Sequence, residues 1–95
     1  MFVVQLRLSK NKSRMSRLME SHRQWIDQGF RDGVFLIVGT LEPRAGGCIV
    51  AHNTTLAKLR KRLQADPFVI EGVVTSEIAE ITPARTVAAL DGLLK

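Results

Sequence analysis

Two side chains in this sequence combine suitable chemistry with an unusual setting, His22 and Asp66. His22 falls inside an apolar stripe of Met15, Leu18, Met19, His22, Trp25 and Ile26. Its members recur at the three- and four-residue spacing of one helical face. An imidazole there loses solvation when charged, and its ring nitrogens need partners when buried. Asp66 stands directly before Pro67 and Phe68, where a helix is expected to stop and an inner strand to begin. Each has an ordinary explanation: a core histidine with satisfied nitrogens, and an aspartate in a helix-terminating turn. Together they have another. A carboxylate beside an imidazole fixes its tautomer and improves it as a proton acceptor, which is the arrangement general acid–base catalysis uses. Periodicity alone does not bring the two side chains together.

The remaining candidates are weaker. Arg14 and Arg17, three residues apart and upstream of His22, form a candidate substrate-binding pair for an anion at a pocket mouth. The competing explanation is a solvated helix face. Cys48 is the single cysteine, so neither an internal disulfide nor a multi-thiolate metal site is available. No neighbour in sequence would activate its thiol, and it reads as a core residue. His52 ends a strand beside Asn53 and reads as a surface position. No His, Asp or Glu cluster has ligand spacing, and neither a P-loop nor a GxGxxG run occurs. No metal and no cofactor are therefore expected.

The elements that must position these residues follow a β-α-β-β-α-β order. Phe2, Val4, Leu6 and Leu8 alternate with Val3, Gln5 and Arg7, the pattern of a half-buried strand. Asn11 is expected to cap the first helix, Gly29 to weaken its later turns and Gly33 to end it. Val34–Val38 is apolar without alternation, so this second strand should be covered on both faces. Pro43 and Gly46–Gly47 mark a turn, and Cys48–His52 returns as the third strand. Asn53 or Thr54 opens a second helix with Leu56, Leu59 and Leu63 inside, and Asp66–Pro67 closes it. From Phe68 to Ile81 the pattern reads as one long strand or two consecutive ones. Phe68, Ile70, Val74 and Ile78 lie on one face, with Val69 and Val73 pointing away from it. Thr82–Pro83 should open a short C-terminal helix with Val87, Leu90 and Leu94 as contacts.

The 95 residues fit one domain, 1–95, with 45% hydrophobic residues. No apolar run approaches a membrane span of roughly 20 residues. The N-terminus lacks the basic head of a signal peptide, so a cytoplasmic protein without membrane association is expected. The net charge of +5 gathers on the two helices, where a solvated face explains it. RNA recognition on such a sheet needs stacking aromatics, and Cys48–His52 supplies none apart from His52. Specific nucleic-acid binding is not expected. Two helices cover only one sheet face, while the second strand is apolar on both. The economical cover for the open face is a second copy, giving a homodimer.

Taken together, His22 on the first helix, Gly33 and Gly39 about strand two, Gly46–Gly47, and above all Ala65-Asp66-Pro67-Phe68 with Gly72 resemble the YciI-like (YCII-related) family. The resemblance runs from residue 1 to about residue 82. It implies an α+β, ferredoxin-like βαββαβ fold with a four-stranded antiparallel sheet, two helices on one face, and pairing into a dimeric α/β barrel. It also implies an active site at His22 and Asp66. Most members have no assigned reaction. Related dimeric-barrel enzymes, among them muconolactone isomerases and a chlorohydroxyquinol dehydrochlorinase, move protons on small rings. Leu41–Ala45 and the tail from Pro83 follow no pattern of the family. Two functions are consistent with all this. One is acid–base catalysis on a small cyclic or carboxylated metabolite; the other is a non-catalytic ligand-binding or regulatory dimer, and fold does not choose between them.

Overall fold

The computed structural model describes residues 1–94. Strand β1 (Phe2–Leu8) leads through a 3-10 turn at Lys12–Arg14 into helix α1 (Met15–Arg31). Strands β2 (Phe35–Leu41) and β3 (Gly46–Ala51) form a hairpin. Helix α2 (Leu56–Gln64), a one-turn helix α3 (Pro67–Ile70) and strand β4 (Val74–Glu80) follow, and a 3-10 segment spans Ala88–Leu94. The sheet has the order β2-β3-β1-β4, antiparallel throughout. This is the ferredoxin-like α+β arrangement that the family resemblance implies, on the β-α-β-β-α-β order read from the pattern.

The alternation in β1 works as expected. Phe2, Val4 and Leu6 are buried against the helices with Phe35, Ile49, Ala51, Leu59, Leu63, Phe68, Val73 and Val74. All six residues of the α1 stripe are half-buried, whereas the helix is otherwise exposed except for Gly29. Gly29 has a packing reason: a Cβ there would run into the Phe35 ring. Gly33, with φ +72, ends α1's run as expected, because the left-handed conformation is cheap only for glycine. Helix α2 begins slightly later than predicted, with Thr55 accepting from the Lys58 amide. Two contacts tie α1 to α2. Trp25 Nε1 donates to the Arg62 carbonyl at 3.0 Å, and Arg62 pairs with Asp32 at 3.0 Å. The Gln28 amide and then the Arg62 guanidinium hold the Asp32 carboxyl below the ordinary carboxylate range.

Several expectations need correction. Phe68 to Ile81 is not all strand: Asp66 caps α3, Pro67 occupies its first turn, and extended pairing starts only at Val74. Val73 is fully buried in the core and does not point outward, Val69 packs against that core, and Ile70 is 63% exposed. The C-terminal helix does not open at Pro83. Residues 81–87 are irregular, and Val87 and Leu90 are exposed where contacts were expected. The side chain of Leu94 lies outside the described residues. Cys48 is half-buried, not a core residue. Within one chain β2 is covered on the helix side, and Ile37 on the other side is 62% exposed, on the face for which a second copy is the expected cover.

Candidate active site

Asp66 is held by constraints that agree with one another. A residue before proline avoids helical geometry, and a helix N-cap requires the same extended backbone; Asp66 has φ −67 and ψ 123. Its Oδ1 accepts the Phe68 amide at 3.0 Å, which caps α3. The same oxygen lies 2.7 Å from Nδ1 of His22, 44 residues earlier in the chain. The carboxylate side chain is wholly buried and the imidazole 12% exposed. Because a carboxylate only accepts, the pairing assigns the imidazole proton to Nδ1. Asp66 Oδ2 is buried with no hydrogen-bond partner among the described residues.

The plane of the imidazole is fixed as well. Phe68 stacks on it with ring centroids 3.9 Å apart and planes 4° from parallel, and Trp25 lies 5.8 Å away on its own helix. Thus the start of α3 supplies two of the neighbours of His22: the carboxylate that caps it and the ring one position beyond Pro67. His22 also lines a cavity of about 500 Å³ between α1 and the β1-β3-β2 part of the sheet. Met15, Met19 and Ile26 share the helical wall with it, and Leu6, Val38 and Ile49 rise from the sheet. With Nδ1 bound to Asp66, Nε2 is left free of any protein partner among the described residues. The arrangement therefore places an imidazole of fixed orientation, with one nitrogen held by a carboxylate, on the wall of an apolar space of small-molecule size.

A model of the YCII-related domain matches residues 1–83. The chain belongs to the YCII-related family. No curated protein matches it closely enough to count as a relative. The matched region of this YCII-related chain holds every element that builds the cavity and stops short of the 3-10 segment at Ala88–Leu94.

The structure brings His22 and Asp66 together and leaves Arg14 and Arg17 out. Both arginines close on Glu71, at 3.4 and 3.3 Å, and neither lines the cavity. Glu71, at the turn after α3, is the carboxylate with which both arginines pair. Arg23 and Arg44 line the cavity instead. Arg23 was hidden by its adjacency to His22, outside the apolar stripe. Arg44 lies in the β2–β3 turn, where no periodicity points inward. Among the described residues no group of three His, Cys, Asp or Glu side chains is placed to hold a metal ion, and no helix is long and apolar enough to cross a membrane.

Proposed function

We propose that this protein is a small-molecule enzyme that moves a proton with His22 while Asp66 orients the imidazole. The observation carrying this reading is the 2.7 Å contact between His22 Nδ1 and a buried carboxylate, with His22 lining an apolar cavity. In the reaction, Nε2 takes a proton from an acidic carbon of the bound molecule. The electron pair left behind delocalises into an adjacent carbonyl of the substrate, and the proton is returned at the same or a neighbouring carbon. No oxidant or reductant is needed. The buried, unpartnered Oδ2 of Asp66 supports the reading, since an unmet buried acceptor costs about 1–3 kcal/mol.

An isotope-exchange screen over candidate compounds tests this. The protein is incubated in D₂O with a set of small cyclic keto acids and lactones, and deuterium incorporation is read by mass spectrometry. The expected result is catalysed exchange into at least one compound, lowered about 10²–10⁴-fold by His22→Ala. Absence of exchange throughout, or exchange indifferent to His22, leaves a ligand-binding module as the better description.

The reading includes a homodimer through the open sheet face, the pairing the family's barrel implies. Val3 faces Val50 and Ala79 across β1's two neighbours, and Ile37 faces Val50, so these side chains share the side away from the helices. The same face carries the Arg7–Glu77 pair at 3.5 Å. A surface bearing both signs beside an apolar strip is compatible with a second copy of itself.

A further inference from the structure

The cavity beside His22 has a one-sided charge. Its walls are mostly apolar, and among the described residues its only ionic side chains besides the histidine are Arg23 and Arg44. Arg23 comes from α1, directly after His22, and Arg44 from the β2–β3 turn on the sheet side. Four other arginines have acidic partners, while Arg31, Arg60 and Arg85 have none among the described residues but do not line this cavity. Arg14 and Arg17 share Glu71, Arg62 holds Asp32, and Arg7 holds Glu77. Neither the Arg23 nor the Arg44 guanidinium pairs with a carboxylate among the described residues; the Arg44 backbone amide donates to Glu42 Oε1 at 3.3 Å. Two unneutralised guanidiniums beside apolar walls attract an anion more strongly than the same charges in open water. Arg44 is also held at φ +47, a backbone conformation that glycine adopts at less cost. The turn thus keeps a long cationic side chain at a position that local backbone preference would give to glycine.

We propose that the cavity is selective for a small apolar-bodied carboxylate, with the anion met by Arg23 and Arg44 and the body packed on Met15, Met19 and Ile26. The planar fork of arginine matches a carboxylate with two parallel hydrogen bonds. The apolar remainder of the lining leaves little to satisfy a polyhydroxylated sugar. The inference rests on the reading of His22 for what happens next, since it brings the substrate's body alongside that imidazole, but the anion preference is a binding property and stands or falls separately.

Calorimetric titration with benzoate, cyclohexanecarboxylate and 2-furoate, each against its primary amide, tests it. At least one acid should bind about tenfold or more tightly than its amide, as expected for a charge-assisted hydrogen bond. Arg23→Gln and Arg44→Gln should each remove most of that preference and leave amide binding unchanged. Arg44→Gly, which suits the backbone at this position, guards against a variant lost to misfolding. Acid preference without deuterium exchange would remove the catalytic reading and keep this one. Equal binding of acids and amides, no binding by any of the six, or a preference that survives both arginine changes would overturn it.

Discussion

Asp66 Oδ1 sits between two donors, the Phe68 amide that begins α3 and the imidazole of α1. Stability and orientation therefore depend on one atom. Asp66→Ala removes the cap and leaves His22 Nδ1 without its acceptor, at an expected cost of about 1–3 kcal/mol in urea denaturation. Asp66→Asn keeps a capping oxygen and should fold, because asparagine caps as well as aspartate. Phe68→Leu retains apolar bulk but loses the ring stacked on His22; about 1–2 kcal/mol is expected from the same measurement. His22 was legible in the sequence as the one polar member of an apolar stripe, and Asp66 as an aspartate fixed by proline. Their meeting was not, because 44 residues separate them and no local pattern encodes that distance.

At the scale of elements, period-two and period-3.6 patterns placed β1, α1 and α2 closely. They failed at α3 for a physical reason. One turn of helix shows no periodicity, and Asp-Pro ends a preceding helix with the same features that begin the next. Reading that turn as strand put Val73 on the wrong face. Gly29 was misread in a different way. Helix propensity alone predicts that alanine would stabilise α1 by about 1 kcal/mol. The Phe35 ring occupies the space its Cβ needs, and that ring is wedged edge-on against Trp25 and Phe30. Overpacking costs about 1–3 kcal/mol, which exceeds the gain. Gly29→Ala should therefore lower the denaturation midpoint; a midpoint above the parent's would show that Phe35 moves freely.

For the whole molecule, the exposed Ile37 and its neighbours Val3 and Val50 on the open face carry the argument for pairing. Light scattering at micromolar concentration should give twice the 10.6 kDa chain mass. Ile37→Glu should yield a folded monomer, since it places a carboxylate in the interface without touching the helix-side core; burying that charge unpaired costs several kcal/mol. An unchanged mass for Ile37→Glu would move the interface elsewhere. The sequence pointed to this face through the two-sided apolar character of strand two, although the tail beyond Pro83, with Val87 and Leu90 exposed, had no counterpart in that reasoning.

The central claim is that Asp66 holds the His22 proton on Nδ1 and leaves the Nε2 lone pair for chemistry. Long-range proton–nitrogen correlation NMR of the uniformly ¹⁵N-labelled protein reads this directly, with no substrate required. The neutral His22 ring should be a single Nδ1–H tautomer, and Asp66→Ala should release it toward the Nε2–H form favoured by free histidine. A proton found on Nε2 in the parent protein would contradict the account.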